Sequence, residues 1–254
     1  MLLAIDIGNT SIVLGVIDGE NLVCSSRLST NIYETEIEYS MKLKTFLEIN
    51  NVEKIESAII SSVVPALVRI LSKSVKLVCG VDSLIVGPGI KTGLNIKIDN
   101  PAELGADIVV GDVAVINKYP LPAIVFDFGT ATTASVIDKT GAHIGGAILC
   151  GVRTAINALS KDTARLPQID ISAPSKLIGT STVDCMKCGT VVGAAAMLEG
   201  LVSRFEKELG EKTTVVVTGG LGKAISDVTN IDVIYDDDLL IDGLRIIYEK
   251  NKNN

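Results

Sequence analysis

The sequence predicts an α/β protein made of two similar halves, and two observations support that prediction. A short motif near the N-terminus, Ile5–Ser11, returns after almost half the chain as the stretch Ile124–Thr133. Each copy runs from β-branched and aromatic residues through one aspartate into a turn and a second apolar run, a pattern typical of strand, tight turn and strand. Two copies at this spacing indicate an internal duplication, so we expect an N-terminal domain over 1–118 and a C-terminal domain over 119–254.

The first half alternates between strands and helices. Three strands come first, and Asp18-Gly19 is a typical hairpin turn between the second and the third. Ile37, Met41 and Leu47 recur at helical spacing, and Pro65 suits the first turn of a second helix. The predicted elements are strands over 2–7, 11–17 and 21–28, a helix over 34–49, a strand over 57–63, a helix over 66–78 and a strand over 83–86.

The first half closes with Gly87-Pro-Gly89, an irregular or weakly extended segment over 92–101 and a helix over 103–117. The second half then repeats the order of the first, with predicted strands over 123–128, 131–138 and 141–149, a helix from about 151, a long helix over 181–209, a strand over 213–218 and a helix over 238–248. The long helix is apolar around much of its circumference at Val191–Leu198. It is therefore buried on more than one side, either by another subunit or by the core.

Composition narrows the class of protein. With 47% hydrophobic and 21% charged residues the chain supports a well-filled core. No apolar run approaches the ~18 residues of a membrane helix and no leader is evident, so we expect a globular cytoplasmic protein without a membrane partner. The net charge of -7 argues against nucleic acid as the main partner. Cys185 and Cys188 have CxxC spacing without a second pair, which favours buried helix thiols over a zinc or redox site.

Three loops carry residues suited to a metal nucleotide. In Asp6–Thr10 and Asp127–Thr132 an aspartate stands beside backbone and hydroxyl donors for oxygen anions, and it is tolerable there only with a cation between carboxylate and phosphate. Gly219-Gly220 has no side chain at two successive positions, so an adenine or ribose could lie flat against the backbone. The plainer interpretation is that the aspartates are turn formers and that the glycine pair only ends a strand.

Eight motifs, in order along nearly the whole chain, resemble those of the type III pantothenate kinases, within the acetate and sugar kinase, Hsp70 and actin superfamily. They are Ile5–Thr10, Ser61–Pro65, Val86–Asn95, Asp99–Pro101, Gly105–Asp107, Asp127–Thr132, Ala164–Pro167 and Thr218–Leu221. The resemblance implies duplicated ribonuclease-H-like (actin-like ATPase) domains, each a mixed five-stranded sheet with helices, and a cleft between them. It also implies a homodimer that uses ATP to phosphorylate pantothenate, the first step of coenzyme A synthesis.

The same resemblance implies roles for individual residues. Asp6 would hold Mg²⁺ through water, Asp127 would bind a monovalent cation (K⁺ or NH₄⁺), and Asp107 would be the catalytic base. The residues predicted to bind ATP are Asp6, Ile7, Gly8, Asn9, Thr10, Ser11, Ile12, Val13, Thr130, Gly219 and Gly220. Gly105, Ala106, Asp107, Ile108 and Thr182 are predicted to bind pantothenate, Thr182 across the dimer interface. For Asp107 and Thr182 the plainer interpretation is a helix cap.

Three positions depart from the family pattern on the acceptor side. The family commonly has arginine where this chain has Ile108, an aromatic residue where it has Ile98, and Pro-Gly after the Gly-Gly motif where it has Cys150. Because isoleucine cannot pair with a carboxylate, we expect Arg153 or Lys97 to supply the missing charge, and we include Arg153 in the substrate site. The alternatives are a kinase of a related small alcohol, an ATP phosphohydrolase, or a regulatory nucleotide-binding protein.

Overall fold

The structure is a computed structural model that describes residues 1–252. The chain divides into two compact units, and neither is continuous in sequence. The first unit contains Met1–Gly93, Asn100–Ala114 and the chain from Leu239 onward, and the second contains Leu94–Asp99 and Val115–Asp238. The domain boundary between residues 118 and 119 stays a prediction, but the C-terminal helix packs with the first unit.

Strands and helices alternate along both halves. In chain order, the elements that begin before residue 120 are β1 (Leu2–Ile7), β2 (Ser11–Asp18), β3 (Asn21–Ser29), α1 (Glu36–Ile49), β4 (Ser57–Ser62), α2 (Pro65–Cys79), β5 (Ser83–Ile85), β6 (Asn95–Ile96), a 3₁₀ turn (Pro101–Glu103) and α3 (Ala106–Lys118). The later elements are β7 (Ala123–Phe128), β8 (Ala131–Ile137), β9 (Ala142–Cys150), α4 (Val152–Asp162), α5 (Thr182–Lys187), a π-helical turn (Cys188–Val192), α6 (Gly193–Leu209), β10 (Thr214–Thr218), α7 (Gly222–Ser226), β11 (Ile234–Tyr235) and α8 (Leu239–Asn251).

The two faces of the first sheet have different coverings. Its strand order is β3-β2-β1-β4-β5, with β1 antiparallel to β2 and parallel to β4. Ile5 and Ile7 are fully buried in the core that α1 and α2 help to form. On the other face α8 lies so close that a Cβ on Gly15 would overlap Ile241. Successive residues of a strand point to opposite faces, so Asp6 lies on the face that α8 covers.

The second sheet repeats the first and adds a strand. Its order is β11-β10-β7-β8-β9-β6, so β9-β8-β7-β10-β11 corresponds strand by strand to the first sheet. The predicted duplicated α/β fold is confirmed, but this sheet has six strands where we expected five. The sixth is β6, whose Asn95 and Ile96 pair in parallel with Ala142 and His143 of β9. It lies in the segment that the sequence indicated only as irregular or weakly extended.

The helix predicted over 181–209 is present from Thr182 to Leu209, with a π-helical turn in its middle that we did not predict. Within residues 1–252 it is the one helix long and apolar enough to cross a membrane, with a mean hydropathy of 1.4, so our statement that no run approaches this length was wrong. Core helices pass the same test, so the finding is weak evidence of a membrane span. Cys185 is exposed and Cys188 is half-buried, so the expectation of two buried thiols was also wrong.

Candidate active site

Asp6 lies in a row of paired residues that crosses the first sheet. On one side β4 places Ser61 opposite Asp6, and on the other side β2 and β3 place Val13 and then Arg27. Asp6 is 6% exposed and Ser61 is fully buried. The Ser61 hydroxyl donates a hydrogen bond of 2.6 Å to Oδ1 of Asp6. The predicted phosphate-side carboxylate is therefore buried, with a specific donor.

Electrostatics at Asp6 reveal which groups lie near it. Burial raises the pKa of Asp6 from its ordinary value of 3.8 to about 6. The Ser61 hydrogen bond lowers this pKa, the charge of Asp107 raises it, and the charge of Arg27 lowers it. Asp6 and Asp107 therefore lie close enough within the first unit to interact through their charges. Because the charge of Asp107 disfavours ionisation of Asp6, a cation beside these carboxylates would be favourable.

Asp107 is the second residue of α3, which begins three residues later than we predicted because Pro101–Glu103 forms a separate 3₁₀ turn. Its Oδ1 accepts a hydrogen bond of 2.8 Å from the backbone N–H of Ile108. Burial raises the pKa of Asp107, while backbone N–H groups of Ile108 and Asp107 itself lower it. Gly105 leaves space for this carboxylate, since a Cβ there would overlap Asp107 Oδ1. Asp107 is thus half-buried at the start of a helix, beside small residues.

The turn between β1 and β2 is held by a backbone hydrogen bond of its own and by the side chain of Thr30. The Gly8 N–H donates to the Ser11 carbonyl at 3.0 Å, and the Thr30 hydroxyl donates to the Gly8 carbonyl at 2.7 Å. Asn9 and Thr10 are exposed at the tip of the turn. Among the remaining residues that we predicted to bind ATP here, Ser11 and Val13 are half-buried, and Ile7 and Ile12 are fully buried. The two isoleucine side chains belong to the core, so only their backbone is open to such a role.

The second aspartate turn is packed differently. Asp127 is half-buried and pairs with Thr133 on β8 and with Thr218 on β10. Gly219 has φ of 89°, and a Cβ there would overlap the Asp127 carboxylate and the Phe128 backbone. The missing side chain at Gly219 thus lets β10 end close against β7. That a nucleotide also lies on Gly219-Gly220 stays a prediction.

Thr130 is exposed at the tip of this turn, and the start of α4 holds its backbone. The Thr154 hydroxyl donates to the Thr130 carbonyl at 2.9 Å, and a Cβ on Gly151 would overlap the same oxygen. The turn is therefore fixed by tertiary contacts, while the Thr130 side chain remains open to solvent.

Two of the acceptor-side residues line one apolar cavity of about 590 Å³ in the second unit. Thr182 and Cys150 contribute to its wall together with Leu149, Met186 and Met197, and no charged side chain lines it. Thr182 is not the helix cap, because the Ser181 hydroxyl accepts a hydrogen bond from the Asp184 N–H at 3.1 Å. The cavity therefore offers hydroxyl and thiol groups but no partner for a carboxylate.

The two cations proposed to replace the missing arginine differ in their surroundings. Lys97 Nζ lies 3.0 Å from Asp138 Oδ2, in an ion pair. Hydrogen bonds from Thr140, from the Ala142 N–H and from Lys97 outweigh burial and hold the pKa of Asp138 below its ordinary range. Arg153 is exposed and is not part of the cavity wall, although its neighbour Val152 is. Arg153 is therefore the better candidate, since Lys97 already has a carboxylate partner.

Comparisons with known proteins identify the family. The family model described as type III pantothenate kinase matches residues 2–204. The chain is 43% identical to the type III pantothenate kinase of Exiguobacterium sp. (strain ATCC BAA-1283 / AT1b), over 99% of this chain and 100% of that protein. It is 45% identical to the enzyme of Exiguobacterium sibiricum with the same coverage. This chain is a type III pantothenate kinase. It therefore belongs to a family of kinases that use ATP.

A solved structure supports the fold. The activator of the 2-hydroxyisocaproyl-CoA dehydratase from Clostridium difficile, determined with bound ADPNP, has a TM-score of 0.54 to this pantothenate kinase and 12% sequence identity. The match covers 99% of this chain and 96% of that chain. At this identity the likeness supports the fold alone.

Two residues near Asp6, Ser61 and Arg27, were missed by the sequence analysis of this kinase. Ser61 lies in a segment that matches the family pattern, but nothing in that segment indicated which of its two serines would face Asp6. Arg27 lies on an exposed strand without any motif. It lies in the row of paired residues that contains Asp6 only because β3 pairs with β2. Among residues 1–252 no group of three or more His, Cys, Asp or Glu side chains forms a ready metal site.

The close contact at Gly219 can be tested by stability. Gly219→Ala is expected to lower the free energy of unfolding by more than about 3 kcal/mol. The new Cβ would overlap Asp127 and Phe128, and alanine would also have to adopt the left-handed backbone conformation at this position. Gly80→Ala is the matched control, since Gly80 has φ of 75° with open space around it. There we expect only the backbone cost, about 1 kcal/mol. Equal losses in urea unfolding would contradict the packing argument.

Proposed function

We propose that this type III pantothenate kinase transfers the γ-phosphoryl group of ATP to the hydroxyl of pantothenate, with Asp107 as the general base and Asp6 on the phosphate side. The observation that carries this proposal is the pair of carboxylates in the first unit. Asp6 is buried at the end of β1, Asp107 is half-buried at the start of α3, and the charge of Asp107 raises the pKa of Asp6.

The residues present fit a magnesium nucleotide. Mg²⁺ binds in such sites through one or two carboxylates together with substrate phosphates, and it usually keeps several waters. Asp6 has its Oδ1 engaged by Ser61, which leaves Oδ2 as the oxygen to face a cation. When bound, Mg²⁺ would neutralise the charge that the phosphates carry. Asp6 would hold it through water, and the backbone and hydroxyl donors of the β1–β2 turn would bind phosphate oxygens.

Asp107 would orient the acceptor and take its proton. Phosphoryl transfer depends mainly on positioning and on charge neutralisation, so a single carboxylate on the attacking hydroxyl is sufficient. Burial raises the pKa of Asp107, which makes the carboxylate a better proton acceptor than an exposed aspartate. Gly105 and Ala106 leave room for the acceptor beside it. As the hydroxyl oxygen bonds to the γ-phosphorus, the bond from that phosphorus to the bridging oxygen of ATP breaks, ADP leaves, and the hydroxyl proton moves to the Asp107 carboxylate.

The remaining roles concern the second unit. We propose that Asp127 binds the monovalent cation, K⁺ or NH₄⁺, since its half-buried carboxylate lies in a row with two threonines. We also propose a cytoplasmic homodimer in which Thr182 meets the partner's substrate. The exposure of large apolar side chains in this unit supports an interface, because Ile148 is 78% exposed and Ile178 is 83% exposed.

The proposed pairing of Arg153 with the carboxylate of pantothenate can be tested by substitution. If Arg153 pairs with that carboxylate, Arg153→Ala is expected to raise KM for pantothenate about 10- to 100-fold, the loss typical of one charged hydrogen bond. Pantothenol has a hydroxymethyl group in place of the carboxylate, so its KM should not change. Arg204→Ala, at an exposed arginine on α6, is the matched control. An unchanged pantothenate KM in Arg153→Ala would exclude Arg153 as the substitute.

A further inference from the structure

We propose that Ser61 is a positioning residue, which fixes the Asp6 carboxylate in the orientation that binds the metal nucleotide. This inference rests on the proposed role of Asp6. No motif assigns a role to Ser61, and its hydroxyl lies in the interior of the first unit rather than on a surface that substrate could reach.

The geometry is set by the two central strands of the first sheet. β1 and β4 are parallel, and their register places Ser61 directly opposite Asp6. Both strands have neighbours on each side, so the backbone under this pair is held by two ladders of hydrogen bonds. At 2.6 Å the bond from the Ser61 Oγ to Asp6 Oδ1 has the length of a charge-assisted hydrogen bond.

The two carboxylate oxygens of Asp6 therefore have different partners. Oδ1 accepts the hydrogen bond from Ser61, which prevents free rotation of the carboxylate about its χ2 angle. Oδ2 is the oxygen that the Ser61 hydroxyl does not engage. It is the oxygen left for water on a cation. The Ser61 hydroxyl is the side-chain hydrogen bond that lowers the pKa of Asp6, so its removal takes away the donor that selects this orientation.

The neighbouring serine shows that the hydroxyl at position 61 is not a turn former. Ser62 accepts a hydrogen bond from the Val64 N–H at 2.9 Å and so stabilises the start of α2. Ser61 makes no such local bond, and the residue before it, Ile60, is fully buried and apolar. An apolar side chain would suit the burial of position 61, so the contact with Asp6 is the feature that requires a hydroxyl.

The test is the dependence of ATP binding on Mg²⁺, measured by calorimetry on the full chain without acceptor. Ser61→Ala is expected to raise the Mg²⁺ concentration for half-maximal ATP binding about tenfold, since a hydrogen bond to a charged group is lost. Ser61→Thr keeps the hydroxyl and should restore the normal value. Ser74→Ala is the matched control, because Ser74 is equally buried and its hydroxyl contacts only the carbonyl oxygens of Glu36 and Ile70.

An unchanged Mg²⁺ requirement in Ser61→Ala would overturn the inference, and so would an equal rise in Ser74→Ala, which would indicate a general loss of stability. If Ser61→Ala does not fold, Ser61→Cys replaces it, because a thiol fills the space but donates weakly. The same rise is then expected, and an unchanged value again overturns the inference. Absence of Mg²⁺-dependent ATP binding in the unmodified protein would instead contradict the proposed function.

Discussion

Asp107→Asn is expected to lower kcat for pantothenate phosphorylation about 100- to 10,000-fold, the range typical of losing a general base. The amide keeps the size of the carboxylate and can still accept the hydrogen bond from the Ile108 N–H, but it cannot take the hydroxyl proton. MgATP affinity should change little, because Asp107 is proposed to act on the acceptor. The measurements are pantothenate-dependent ADP release and calorimetric binding of MgATP.

Glu103→Gln is the matched control for Asp107→Asn. Glu103 is an exposed acid in the 3₁₀ turn before α3 and contacts Asn100, so the same carboxylate-to-amide change should leave kcat unaltered. Because burial raises the pKa of Asp107, we also expect the acid limb of the kcat/KM profile to lie above the ordinary aspartate value of 3.8. A kcat in Asp107→Asn equal to that of Glu103→Gln would exclude Asp107 as the base.

Asp6→Asn is expected to abolish MgATP-dependent turnover and, at the same time, to stabilise the protein without nucleotide. The folded state raises the pKa of Asp6 from 3.8 to about 6, so folding favours the protonated form. Ionised Asp6 therefore destabilises the folded protein, fully above pH 6 and not at all below pH 4. One pKa unit corresponds to about 1.4 kcal/mol, which puts the gain in Asp6→Asn near 3 kcal/mol at pH 8.

Urea unfolding between pH 4 and pH 8, with a chelator to remove Mg²⁺, measures this gain. The stability difference between Asp6→Asn and the unmodified protein should grow from about pH 4 to about pH 6 and stay constant above that. Asparagine retains an oxygen that accepts from Ser61, so the packing is preserved. Asp18→Asn, at an exposed aspartate that ends β2, should show no such trend. A less stable Asp6→Asn at every pH would contradict the assignment of Asp6 as a desolvated carboxylate.

The sequence alone predicted where most strands begin and end, because a strand of apolar residues is recognisable without knowing its partners. Apolar runs of β-branched and aromatic residues located β1, β2, β7 and β8 within about one residue, and each aspartate turn follows such a strand. The start of α3 was misplaced because Pro101 is typical of a helix N-terminus, but here it begins a 3₁₀ turn that ends before Gly105.

Long-range pairing decided what the sequence could not predict. Whether Ser61 or Ser62 faces Asp6 depends on the register of two strands separated by 50 residues of chain, and a shift of one residue would reverse the answer. Likewise, β6 is a strand only because β9 offers a free edge. Lys97 was a reasonable substitute cation until its pairing with Asp138 placed it in a separate ion pair.

Pantothenate dependence of ATP turnover tests the central proposal most directly. The purified full chain is incubated with MgATP and a potassium salt, with and without pantothenate, and both ADP and phosphorylated pantothenate are quantified. We expect ADP to form only with pantothenate and in equal amount to the phosphorylated acceptor. ADP release that is independent of pantothenate would indicate an ATP phosphohydrolase, and ATP binding without turnover would indicate a regulatory protein or a different acceptor alcohol; either result would contradict the account.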